Sequence, residues 1–148
     1  MKVVTVAWKP EPSTFVAQGA RPEHAITLAA PRERTPGQPP GLSAMSATDA
    51  FLAGLAGCTA WDVVEILRKQ RQDLRGLRVV VAAEQEPDPP WPFTRIVLTY
   101  TATGRGLKRE AVERAVKLSS DRYCSVKATL RPETVVETVI EVLEADED

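Results

Sequence analysis

Apolar and polar side chains alternate from Val3 to Trp8, the two-residue period of a half-buried strand. Ser13–Gln18 repeats the alternation across the turn Lys9-Pro-Glu-Pro12, and His24–Ala29 continues it. The first thirty residues therefore predict an antiparallel meander. Pro31 to Gly41, with Pro36, Gly37, Pro39 and Pro40 inside it, reads as a loop. The period then changes. Ser46-Ala-Thr-Asp49 has the form of a capping box and opens a helix expected to run to about Asp73, with Gly76 as its stop. The first half of that helix is apolar nearly all round, which marks burial. Further on, Thr59, Asp62, Glu65 and Lys69 form one polar stripe at helical spacing. Gly54 and Gly57 each weaken a helix by about 1 kcal/mol against alanine, which makes sense where another backbone approaches closely.

Leu77–Glu86 and Phe93–Thr103 read as two strands joined by the turn Pro87-Asp-Pro-Pro-Trp-Pro92. Gly104-Arg-Gly106 ends the second. A helix follows from Lys108 to about Arg122, its apolar face carried by Val112, Ala115, Val116 and Ser119. Thr134–Leu143 is a last strand or a strand–helix mixture, and the acidic tail Glu144–Asp148 frays. Three strands, helix, two strands, helix and strand make an α+β order within a single domain, residues 1–148. So apolar a first helix needs more cover than one small sheet gives. A second subunit is the expected cover, with the later hairpin and helix as the alternative.

Composition narrows the function. Of 148 residues, 43% are apolar and 26% charged, and the net charge of −1 offers no field for nucleic acid or an anionic membrane. The longest uncharged run falls short of a membrane span, and the N-terminus lacks the pattern of a signal peptide, so a cytoplasmic location is expected. No GxGxxG, P-loop or nucleophile elbow is present, and two cysteines and one histidine, far apart, do not make a zinc site.

The chemistry that remains is thiol chemistry. Cys58 lies in the charge-free run Ala50–Trp61, and Cys124 closes the segment Leu118–Cys124 at the foot of the second helix, beside Arg122. Two thiols that meet can cycle: one attacks an oxidant and becomes a sulfenic acid, and the other condenses with it to a disulfide. Inert packing is the competing reading, because cysteine is among the most buried residues. A reactive Cys58 needs a compensating cation or donor, since it sits mid-helix, beyond reach of the helix N-terminus. Arg21, Arg32 and Arg34 are the candidates. His24 is read as a strand residue rather than a general base. Phe51, Leu55 and Trp61 line an apolar pocket or belong to the core.

Three segments carry a resemblance: Leu52-Ala-Gly-Leu-Ala-Gly-Cys-Thr-Ala-Trp-Asp-Val-Val-Glu-Ile-Leu-Arg-Lys69, Thr103-Gly-Arg-Gly-Leu-Lys108 and Ala115-Val-Lys-Leu-Ser-Ser-Asp-Arg-Tyr-Cys-Ser-Val126. With them the chain resembles the OsmC/Ohr family of thiol-dependent peroxidases, nearest its YhfA-like branch. The resemblance implies antiparallel sheets packed around two central helices in an intertwined homodimer. It implies Cys58 as the peroxidatic thiol and Cys124 as the resolving one. Organic hydroperoxides are the implied substrates, a dithiol such as a lipoyl group the implied reductant, and no metal, haem or flavin takes part. Family members pair a glutamate ahead of the peroxidatic cysteine with an N-terminal arginine. Here the matching residues are Asp49, one position off that spacing and one carbon shorter, and Arg21 after Gly19-Ala20. The alternative on the same fold is a binding protein for a hydrophobic or acyl ligand.

Overall fold

The computed structural model describes residues 1–11, 14–29 and 44–146. The expected loop Pro31–Gly41, with Arg32 and Arg34, lies outside the described residues. The chain divides into two compact units, Met1–Leu52 and Ala53–Asp148.

In the first unit, β1 (Thr5–Lys9), β2 (Thr14–Gln18) and β3 (Ala25–Ala29) form the expected antiparallel meander, with Trp8 opposite Phe15 and Ala17 opposite Ile26. A two-residue strand, β4 (Met45–Ser46), pairs parallel to β3 and had no signal of its own in the sequence. His24 ends a single 3-10 turn, Pro22–His24, rather than beginning β3. Helix α1 spans Ala47–Lys69 and starts as its capping box predicts. The Ser46 N–H donates to Asp49 Oδ2 at 3.1 Å, and the Asp49 N–H donates to Ser46 Oγ at 3.1 Å.

The helix stops earlier than expected. Arg71 takes a positive φ of 56°; its N–H donates to the Arg68 carbonyl and that of Gln72 to the Leu67 carbonyl. This is a Schellman ending with arginine where glycine is usual. Gly76 instead lies within β5 (Asp73–Gln85), beside a bulge at Leu74/Gly76.

In the second unit, β5 pairs antiparallel with β6 (Phe93–Arg105) as the expected hairpin. Gly104 continues β6 rather than breaking it: a Cβ there would meet the Asp73 carbonyl oxygen, so only glycine lets the strands approach. The break comes at Gly106, φ +57°. Helix α2 (Arg109–Leu118) leads through a π-type turn, Ser119–Tyr123, into the short helix α3 (Ser125–Ala128). The last element, β7 (Val135–Glu144), is a strand throughout and lies parallel to β6. The order β5-β6-β7 is thus a mixed sheet rather than an antiparallel one. The helical crossover returns the chain to the end of β6 from which it can run alongside.

The core of this unit joins three elements. Ile96, Leu98, Tyr100 and Ala102 alternate along one face of β6, and Ala111, Val112, Ala115 and Val116 form the predicted face of α2. From α1 come Leu55, Thr59, Val63 and Leu67. The first half of α1 departs from expectation. Phe51 and Trp61 remain exposed, and a Cβ at Gly54 or Gly57 would meet nothing. Among the described residues, no other backbone approaches those glycines.

Candidate active site

α1 and α2 meet where their small and polar residues face each other. Ser119, fully buried at the end of α2, places its hydroxyl 2.9 Å from Asp62 Oδ2 and 3.3 Å from the Thr59 carbonyl oxygen. This contact fixes the polar stripe of α1 against α2. Thr59, read from sequence as part of that stripe, is buried; its hydroxyl donates to the Ala56 and Leu55 carbonyls. Beyond Ser119 the chain widens into the π-type turn, in which the Cys124 N–H donates to the Ser119 carbonyl at 2.9 Å. Cys124 then leaves helical geometry, with φ −71° and ψ 99°, and becomes the N-cap of α3. Its sulfur accepts the Lys127 N–H at 3.3 Å. The Lys127 ammonium donates back to the Ser120 carbonyl at 3.1 Å and steadies the turn.

This placement brings the two thiols together. Cys58, half-buried on α1, and Cys124, buried, are free cysteines hydrogen-bonded to each other. Their environments push them apart. Burial raises the Cys58 thiol, but the Val126 N–H, then the Cys124 and Ser125 side chains, donate to its sulfur and bring it below the ordinary thiol value, against the nearby charge of Asp62. Burial likewise raises Cys124; the Lys127 N–H opposes this, yet the Cys58 sulfur and its charge hold it above the ordinary value. Cys58 is therefore the more readily ionised thiol of the pair, and Cys124 the one that donates to it.

None of the three donors to Cys58 is a cation. The donors that act here leave little trace in the sequence: one N–H group, a thiol and a hydroxyl at the start of α3, a helix of only four residues. Arg21 sits in the first unit at the start of the Pro22–His24 turn and is exposed, and Asp49 serves as the cap of α1. Tyr100 of β6 adds a buried hydroxyl with no hydrogen-bond partner among the described residues. Burial pushes it up and keeps it protonated, with Thr59, Cys124 and Asp62 around it. Among the described residues no group of three or more His, Cys, Asp or Glu side chains converges as a metal site. By length and composition α1 could cross a bilayer, a property shared by the core helices of soluble proteins.

A hydrogen-bonded pair of free thiols at the junction of two helices, beside a mixed sheet, defines a thiol protein of α+β fold. The chain belongs to the OsmC family: residues 39–139 match the family model described as OsmC-like protein. Protein YhfA of Escherichia coli (strain K12) is 41% identical over 105 residues, which cover 71% of this chain and 78% of that protein. A hypothetical protein from Aquifex aeolicus VF5 has a similar structure, with a TM-score of 0.82 at 25% identity, covering 99% of this chain and 98% of that one. An organic hydroperoxide resistance protein OsmC from Legionella pneumophila, described as a predicted redox protein, shares the fold at a TM-score of 0.65 and 17% identity, with 97% and 96% coverage.

Proposed function

We propose that this chain is a thiol-dependent peroxidase that reduces organic hydroperoxides to alcohols in oxidative-stress defence. The single observation that carries the reading is the Cys58–Cys124 hydrogen bond, with one thiol lowered and the other raised. Cys58, the more readily ionised thiol, is then the nucleophile, and its sulfur attacks the terminal oxygen of R–O–OH. Alcohol leaves, and Cys58 becomes a sulfenic acid. Cys124 attacks that sulfur, water departs, and a disulfide forms. A dithiol such as a lipoyl group supplies the two electrons and two protons that restore both thiols.

The reading takes residues 1–148 as one OsmC-like domain in a cytoplasmic homodimer. The exposed Phe51 and Trp61 and the open Gly54 and Gly57 on α1 support a second copy as the cover of that helix. The resemblance assigns Arg21 a further contact with the thiolate or substrate, oriented by Asp49; Arg21→Met, assayed for peroxide reduction, tests it. The binding-protein alternative needs an apolar pocket. One groove among the described residues, about 480 Å³ at the sheet end, is not such a pocket: charged side chains line it, Arg75, Arg105, Glu144 and Asp146 among them.

The test is peroxide consumption with dihydrolipoamide, comparing tert-butyl hydroperoxide with hydrogen peroxide. The organic peroxide should be preferred, Cys58→Ser should abolish turnover, and Cys124→Ser should permit one oxidation and then stall. Equal residual turnover in both variants would show that neither thiol is chemical.

A further inference from the structure

The donors around Cys58 explain how the thiolate is held but not why a carboxylate stands beside it. Asp62 lies four residues after Cys58 on α1, on the same helix face. A buried hydroxyl fixes it there: Ser119, fully inaccessible, holds Asp62 Oδ2 at 2.9 Å. A negative charge at this position opposes ionisation of the thiol, so thiolate stabilisation alone gives it no purpose. The peroxide reaction does. The thiol must lose a proton before attack, and the departing alkoxide must gain one. Of the donors to Cys58, the Val126 N–H carries no transferable proton, and the Cys124 thiol and Ser125 hydroxyl are far weaker acids than a carboxylic acid. Tyr100 is fully buried and stays protonated. The groups that act on the charge of Cys58 are Asp62 on its own helix and Cys124 with Ser125 and Val126 from the segment packed against it; Tyr100 of β6 faces Cys124 and Asp62.

We propose that Asp62 is the proton carrier of the Cys58 reaction, held in position by the Ser119 hydroxyl; the proposal rests on the peroxidase reading. The Cys58 proton passes to the Asp62 carboxylate. The sulfur electron pair attacks the terminal oxygen of R–O–OH, the O–O bond breaks, and its electron pair leaves with RO. Asp62 returns the proton to that oxygen and gives ROH. Cys58 ends as S–OH, with the peroxide's own hydrogen on the new hydroxyl, and Asp62 ends as the carboxylate it began as. The peroxide is reduced by two electrons and the sulfur oxidised by two.

The experiment compares wild type, Asp62→Asn and Asp62→Glu in single-turnover loss of the reactive thiol with three electrophiles. tert-Butyl hydroperoxide expels an alkoxide that needs a proton. Peracetic acid and iodoacetamide expel acetate and iodide, which do not. Asp62→Asn should react ~100-fold or more slowly with tert-butyl hydroperoxide, yet as fast as wild type or faster with the other two. Asp62→Glu should recover part of the loss. An equal loss with all three electrophiles would make Asp62 structural, and no loss with tert-butyl hydroperoxide would remove it from the reaction; either overturns the proposal. A wild-type protein that reacts with iodoacetamide but with neither peroxide overturns the peroxidase reading, and this inference with it.

Discussion

Replacing Ser125 with alanine isolates one of the three donors that hold Cys58 as a thiolate. Ser125 is exposed at the first position of α3, so truncation opens no cavity and leaves the backbone N–H groups of the helix start in place. The sign follows from which form the hydroxyl favours. Its donation lowers the Cys58 thiol, so its loss moves ionisation to higher pH and reduces the thiolate present at neutral pH. A hydrogen bond to a charged group is worth roughly 1.5–3 kcal/mol. Ser125 is the weakest of the three donors, and water can partly replace it at this exposed site, so about 1 kcal/mol is the realistic loss. That corresponds to roughly a three- to tenfold slower reaction with iodoacetamide near pH 7. The assay is alkylation rate against pH, with Cys124→Ser as background so that a single thiol is read. The serine that replaces Cys124 still offers a proton to Cys58. The whole profile should shift to higher pH while its alkaline plateau stays unchanged, and Ser125→Thr, which keeps the hydroxyl, should follow wild type. Superimposable profiles for Ser125→Ala and wild type, or an equal drop in Ser125→Thr, would refute the hydroxyl as a donor.

Other expectations concern the frame of the site. Gly104→Ala forces a Cβ onto the Asp73 carbonyl oxygen and against Leu107, and should lower the melting temperature by roughly 5–10 °C, an overpacking loss near ~3 kcal/mol. Arg71→Gly relieves a left-handed arginine at the end of α1 and should stabilise the protein by about 0.5–1 kcal/mol in chemical denaturation; a loss of stability would show that the arginine side chain matters more than its backbone. Light scattering at micromolar concentration should return twice the chain mass, consistent with an interface of ~2,000 Å² or more on α1, and a monomer would contradict the second copy as its cover.

Local signals in the sequence read well. The Ser46/Asp49 box, the hairpin at Pro87–Pro92 and the face Val112–Ala115–Val116–Ser119 all depend on side chains a few residues apart, so periodicity and capping chemistry expose them. The misses share a different cause. Arg71 ends α1 through a backbone angle that no residue type in the stretch announces. The parallel pairing of β7 follows from the path of the crossover, and β4 is too short for a period. In the site, both thiols were legible as candidates, but the groups that set their ionisation were not. N–H donors look the same in every sequence, and the partnership of Asp62 with Ser119 spans fifty-seven residues.

The donors to Cys58 all come from residues 124–126, after β5, β6 and α2 have been laid down. Until that stretch docks, Cys58 is an ordinary cysteine on an apolar helix, with nothing to hold its sulfur as a thiolate. Reactivity is thus a property of the finished second unit rather than of the helix that bears the cysteine. A growing chain, or one whose second unit has come apart, meets oxidants with a thiol no more reactive than any other. The rate at which Cys58 alkylates becomes a direct gauge of how completely the unit has folded.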